Sequence, residues 1–275
     1  MLRRKHEGPR KESHVADTAY LLDLFNLDGR RAAVVGGGGV LAGAMSLALA
    51  RAGAKVAVLD LNLQAAEARA GEIAKLGAVA LALKVDVARR ADLEAASAAI
   101  DKAWGGTDIL INAPGLNSGT PFFEITEEEW DRLIAVDLKG VFLACQVFGQ
   151  GMVERRRGSI INISSASSGP PLSKVFTYSV AKGGVNQVTQ FLAREWATAG
   201  VRVNALVPGF FPAEQNRKLL TPERTAQIMA HTPMKRFGEA QELLGAVLWL
   251  ASDRASGFVT GALVRVDGGY LAMTI

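Results

Sequence analysis

From Gly29 onward, short apolar runs alternate with longer amphipathic stretches. The short runs are Ala32–Val35, Lys55–Asp60, Val79–Asp86, Ile109–Asn112, Ser159–Ile163, Val201–Val207 and Ala262–Val266. Most lack the polar alternate positions of a strand with one wet face, so they read as strands of a parallel sheet covered on both sides. Helical stretches of ten or more residues separate them, which is what a parallel crossover needs, and such crossovers close right-handed. The pattern predicts an α/β fold: a single doubly wound parallel sheet with helices on both faces. There is no internal repeat or low-complexity linker, so residues 25–275 read as one domain behind an extension of residues 1–24.

Composition changes this picture little. The chain has 275 residues, 49% of them hydrophobic, enough for one sizeable core. The formal charge of +4 lies in the tail, because residues 1–11 carry five bases and one acid while the rest holds 26 of each. A basic tail with no aromatic or apolar partner beside it reads as a solvated, disordered extension, so neither a nucleic-acid nor a membrane partner is expected. Cys145 is the lone cysteine and sits in an apolar run, as a buried helix residue would. His6, His14 and His231 lack ligand-like spacing, so no metal site is expected. No run of about 18 uninterrupted apolar residues and no signal-peptide pattern is present, and a cytoplasmic setting is the expectation.

The chemistry begins at Val34-Val35-Gly36-Gly37-Gly38-Gly39-Val40-Leu41-Ala42-Gly43, which follows a strand and opens an Ala-rich helix. Glycines let backbone approach a pyrophosphate, and the helix N-terminus offers free N–H groups to it. That is the cofactor turn of a Rossmann arrangement; a merely flexible loop is the bland alternative. Asp60 ends the second strand, where a carboxylate accepts from the adenosine ribose hydroxyls and repels a 2′-phosphate, favouring NAD over NADP. A helix N-cap is the competing role for Asp60. Asp86 and Val87 end the third strand, where an adenine amino group or a simple strand-end cap accounts for them. Tyr178 and Lys182 lie four apart in a helical stretch, Phe176 to Ala199, and therefore on one face. A neighbouring ammonium, with a cationic nicotinamide, would lower the phenol from its usual value of about 10. Upstream, Ser165 offers a hydroxyl to polarise a substrate oxygen.

Taken in order, these segments resemble the short-chain dehydrogenase/reductases from about Phe25 to the end. The motifs are the glycine turn, Asp108-Ile109-Leu110-Ile111-Asn112-Ala113-Pro114-Gly115, Ile160-Ile161-Asn162-Ile163-Ser164-Ser165, Tyr178-Ser179-Val180-Ala181-Lys182, Val203-Asn204-Ala205-Leu206-Val207-Pro208-Gly209 and Val266-Asp267-Gly268-Gly269. The resemblance implies hydride transfer between a nicotinamide cofactor and an alcohol or carbonyl. It implies that Ser165, thirteen residues before Tyr178, binds substrate in preference to Ser164. Tyr178 is then the acid/base and Lys182 the holder of the nicotinamide ribose. Gly37, Gly39, Leu41, Gly43, Asp60, Asp86, Val87, Asn112, Tyr178, Lys182, Pro208 and Gly209 are the implied cofactor contacts. Several positions depart from the family. Gly36 replaces a threonine and Leu41 the middle glycine; Asn112-Ala113-Pro114-Gly115 replaces Asn-Asn-Ala-Gly. Asp137 stands where an asparagine supports a proton-relay water, and Phe210-Phe211-Pro212 replaces the threonine after Pro-Gly.

Within the family, Gly36 to Leu41, Pro208 to Arg217 and His231 to Gly238 look like enzymes of mannonate (fructuronate), gluconate and polyol oxidoreduction, implying a sugar acid or polyol substrate. Residues 210–236 read as a substrate lid, with Gln215, Asn216 and Arg217 suited to hydroxyls and a carboxylate and Lys218 an alternative to Arg217; a solvated amphipathic helix is the alternative. Phe122, Phe123, Trp130 and Trp249 read as core or subunit interface. A homotetramer is implied, with Gly268 to Ile275 at a subunit contact. The competing reading is a catalytically inactive nucleotide-binding protein of the same fold, motivated by Gly36, Leu41 and Asp137.

Overall fold

The computed structural model describes residues 17–212 and 220–273. Seven parallel strands form one sheet in the order β3-β2-β1-β4-β5-β6-β7. They are β1 (Arg31–Val35), β2 (Lys55–Asp60), β3 (Ala80–Lys84), β4 (Ile109–Asn112), β5 (Gly158–Ile163), β6 (Val201–Pro208) and β7 (Leu263–Val266). The third is shorter than the apolar run expected, since Asp86 takes the next turn: its Oδ1 accepts from Ala88 N–H at 3.0 Å.

Alternate residues of each inner strand feed two separate cores, which is why no polar alternation shows in the sequence. Ala32, Val34, Val56, Val58, Ile109 and Ile111 face one side. Ala33, Val35, Ala57, Leu59, Leu110 and Ile160 face the other. The helices are α1 (Thr18–Phe25), α2 (Val40–Arg51), α3 (Leu63–Lys75), α4 (Arg90–Trp104), α5 (Glu127–Ile134), α6 (Gly140–Glu154), α7 (Phe176–Trp196), α8 (Pro222–His231), α9 (Leu244–Ala251) and α10 (Asp253–Ser256). Helices α2 and α9 cover the first side; α4, α6 and α7 cover the second.

One expectation changes here. The extension is helical from Thr18, capped by Asp17 and tied down by a 2.6 Å bond from Ser252 Oγ to Leu24 O. Helices α5 and α6 also join through a π turn, Ala135–Lys139, into one helix with an 18-residue window apolar enough by composition to cross a membrane. Half of that window is buried inside the fold, where Val141, Leu143, Ala144 and Phe148 belong to the second core.

The strand order reverses between β1 and β4, and an open α/β sheet leaves its crevice at that switch point, beyond the carboxyl ends of the strands. The loops after β1, β4, β5 and β6 converge there.

Candidate active site

The glycine turn is shaped by close approaches. Gly36 has φ +75°, and a Cβ there would lie 2.7 Å from Ala113 O. A Cβ on Gly37 would meet Val58 at 2.8 Å, and one on Gly38 would meet the Asp60 carboxylate at 2.9 Å. Gly39 is the N-cap of α2 and no side chain caps that helix start. The result is a backbone cradle with free N–H groups at a helix N-terminus, which fits a dinucleotide pyrophosphate. Gly43 lies in the following turn against Arg69.

Asp60 is not a helix cap; Asn62 caps α3 through its side chain. Asp60 instead braces the turn, accepting from Gly38 N–H at 3.0 Å with one oxygen and from Asn62 N–H at 2.9 Å with the other. Val87 packs on Gly140. Asn112 is fully buried, and its Nδ2 donates to Asn162 Oδ1 at 2.9 Å and to Cys145 Sγ at 3.3 Å. Its Nδ2 is thus engaged in an inner network, while its Oδ1 has no partner within the protein. Cys145 is buried in α6 as expected, and burial pushes its thiol up to about 12.

The catalytic candidates meet above β5. Tyr178 opens α7, and one turn on Lys182 turns inward, donating to Ile163 O at 3.0 Å and Pro114 O at 3.3 Å. Its Nζ lies 5.5 Å from the centre of the Tyr178 ring. Ser165 lines the same cleft as Tyr178, and its Oγ accepts from Ser167 Oγ at 3.0 Å. Ser164 points elsewhere, donating to Lys182 O at 3.3 Å.

Electrostatics correct one expectation. Among the protein's own groups burial dominates and pushes the Tyr178 phenol up to about 12; the nearby Ser165 hydroxyl opposes this, and the Asp137 charge adds to it. Lys182 spends its N–H groups on two carbonyls, and burial lowers its own pKa. Four residues on one helix placed the ammonium near the ring but not its donors on the hydroxyl.

Asp137 lies in the π turn, which α7 meets closely because a Cβ on Gly184 would stand 2.8 Å from Leu138. It is fully buried. Oδ1 accepts from Leu116 N–H at 2.7 Å, while Oδ2 has no partner within the protein. Burial raises its carboxyl to about 6, against the pull of Lys182 and the Leu116 N–H.

One cleft holds Ser165, Tyr178, Leu41, Pro208 and Gly209 together, with Asn117, Val175, Phe210, Phe211, Leu220 and Arg224 among its other walls. Gln215, Asn216, Arg217 and Lys218 lie outside the described residues. Of the aromatic residues, Phe123 is fully exposed and Phe122 is exposed beside Phe176, at 4.9 Å between ring centres, so neither is core. Trp249 packs on the first core, and Trp130 lies 6.0 Å from Phe176.

A family model described as enoyl-(acyl carrier protein) reductase matches residues 39–271. UxuB, an uncharacterized oxidoreductase of Bacillus subtilis (strain 168), is 41% identical over 90% of this chain and 96% of its own. The chain belongs to the short-chain dehydrogenase/reductase family. The 5-keto-D-gluconate 5-reductase of Escherichia coli (strain K12) is 35% identical over 90% of this chain and 98% of its own. Among solved structures, a Burkholderia cenocepacia J2315 gluconate 5-dehydrogenase in complex with NADP and tartrate has TM-score 0.88 and 34% identity, covering 92% of this chain and 100% of its own. A candidate D-mannonate oxidoreductase from Haemophilus influenza with bound NAD has TM-score 0.87 and 34% identity, covering 92% and 99%.

As a short-chain dehydrogenase/reductase, the protein is a nicotinamide-dependent oxidoreductase acting on CH–OH groups. Its departure at Gly36 fits this backbone, because the positive φ and the 2.7 Å approach to the oxygen of residue 113 leave no room for a threonine side chain. Sequence reasoning missed Asn186, whose Nδ2 donates to Ser168 Oγ at 2.9 Å while Ser168 Oγ donates to Ser165 O at 2.6 Å. The signal was present, since 178, 182 and 186 continue one helical face. Arg224 was missed as well, and no local pattern announces it.

Proposed function

We propose that this short-chain dehydrogenase/reductase interconverts an alcohol and a carbonyl on a polyhydroxylated substrate, a sugar acid or polyol, with Tyr178 moving the proton. The carrying observation is the meeting of the Ser165 and Tyr178 hydroxyls in one cleft beside inward-turned Lys182. The names of the relatives support the substrate class.

The glycine cradle, Gly37, Gly39, Leu41 and Gly43, would hold the dinucleotide with Asp60, Asp86, Val87, Asn112, Pro208 and Gly209 around it. When bound, the nicotinamide supplies or accepts the hydride. Ser165 donates to the substrate oxygen and polarises it. Tyr178 gives that oxygen a proton in reduction and takes one in oxidation. A phenol at about 12 is protonated at neutral pH, the form reduction needs, so oxidation gains rate as pH rises. Lys182 carries positive charge to the nicotinamide ribose, and Asp137 sits behind it as a proton-accepting carboxylate.

Asp60 makes NAD the preferred cofactor over NADP, since no Arg or Lys lies in the turn or directly after it. Residues 210–236 serve as the lid, and Gln215, Asn216 and Arg217 are the proposed substrate-binding residues within it. We place the enzyme in the cytoplasm as a homotetramer; exposed Phe142, Val180 and Phe191 on α6 and α7 offer an apolar face for assembly. A screen of D-gluconate, D-mannonate, their keto acids and matching polyols against NAD(H) and NADP(H) tests the reading. Turnover with NAD(H) is expected, and cofactor binding with no turnover on any compound overturns it.

A further inference from the structure

We infer that Arg224 anchors a carboxylate of the substrate at a point removed from the carbinol carbon that reacts at Ser165 and Tyr178. The inference rests on the function proposed above and narrows its substrate to the acid rather than the neutral polyol.

The cleft's inventory of charge carries the argument. Among its described lining residues Arg224 alone is charged. Its polar companions are the side chains of Ser165, Tyr178 and Asn117; the rest are mainly Leu, Ile, Val, Pro and Phe. A positive charge beside apolar walls draws an anion more strongly than it does in open water. Arg224 enters none of the ion pairs among the described residues.

The side chain is also held in place. Thr221 caps α8 by accepting from Arg224 N–H at 3.2 Å, with Pro222 in the first turn, so the helix start fixes where the residue leaves the backbone. The guanidinium of this lining residue donates Nη2–H to Ser173 O at 3.1 Å on the loop after β5. A guanidinium has five N–H donors in a rigid fork, so most remain for a ligand. That fork matches a carboxylate with two parallel hydrogen bonds. The field of Arg224 already reaches beyond its own helix: burial raises the Tyr270 hydroxyl and the Arg224 charge works against that.

Calorimetry on the NADH-loaded enzyme tests this with matched pairs, D-gluconate against D-glucitol and D-mannonate against D-mannitol, which differ at one carbon. The wild type is expected to bind at least one acid about tenfold or more tightly than its polyol, the worth of a charged hydrogen bond. Arg224→Gln should erase that preference and leave polyol binding within about twofold, while Arg224→Lys keeps part of it through its charge. No acid preference in the wild type overturns the inference. So does a preference that survives in Arg224→Gln, an equal loss for acid and polyol, or tighter binding of D-glucitol 6-phosphate than of gluconate. Turnover is read separately. Acid-selective binding with no turnover leaves Arg224 assigned and removes the oxidoreductase reading. Turnover of acid and polyol at equal kcat/KM keeps that reading and removes the anchor.

Discussion

Helices α7 and α8 line the same cleft and are held very differently. Helix α7 runs 21 residues with eight of them buried, including Lys182 and Asn186. It is bonded to the loop after β4 at Pro114, to the end of β5 at Ile163 and to the following loop at Ser168. Helix α8 has ten residues and one buried side chain, Ile228, and its cap is local. Proton transfer needs hydroxyls held within hydrogen-bond reach, and that requirement falls on the buried wall. Choosing a substrate needs only a suitable surface, and that falls on the thinly anchored one.

The largest test of this division is Tyr178→Phe. Loss of a general acid/base should lower kcat by about 10²–10⁴-fold, with NADH affinity unchanged by fluorescence titration. A matching loss of NADH binding would mean that the buried wall is a cofactor wall and not a chemical one.

Asp137 tests how much strain that wall holds. Its carboxyl is raised from 3.8 to about 6, so the folded state binds the proton more tightly than the unfolded chain. Stability from this group is therefore fully present below about pH 4 and lost as pH rises through 6. Asp137→Asn should stabilise the protein in urea at pH 8 by up to about 3 kcal/mol, at roughly 1.4 kcal/mol per pKa unit, and the gain should shrink toward pH 4. A gain independent of pH would sink this account. The same variant should lose any inflection near pH 6 in kcat/KM.

Asn186 separates positioning from plain packing. Asn186→Ala frees Ser168 and so loosens Ser165, and kcat should fall by about tenfold with KM little changed. A change confined to thermal stability would reduce Asn186 to packing. On the opposite wall, Leu220→Ala should raise substrate KM about threefold and leave kcat within a factor of about two. A fall in kcat as large as that of Asn186→Ala would erase the contrast between the helices.

The two walls also differ in how legible they were. The strands, the glycine turn, Tyr178 and Lys182 were readable because each depends on local chemistry: apolar runs, a strand–glycine–helix order, an i, i+4 spacing; the choice of Ser165 over Ser164 came from the family resemblance. Asn186 was readable by extending that spacing one more turn. Arg224 was not, because only folding brings α8 across the cleft to the loop at Ser173.

The amino-acid order alone determined the doubly wound sheet, the turn that cradles a dinucleotide, and the pairing of a phenol with an ammonium on one helix, since periodicity and backbone sterics act over a few residues. The tertiary structure alone decided the rest. It sent Lys182 to two carbonyls, raised Tyr178 by burial, placed Asp137 behind them through a π turn packed on Gly184, and brought one arginine into the cleft. Those outcomes depend on desolvation and on contacts between distant segments, and neither is written in any local run of residues.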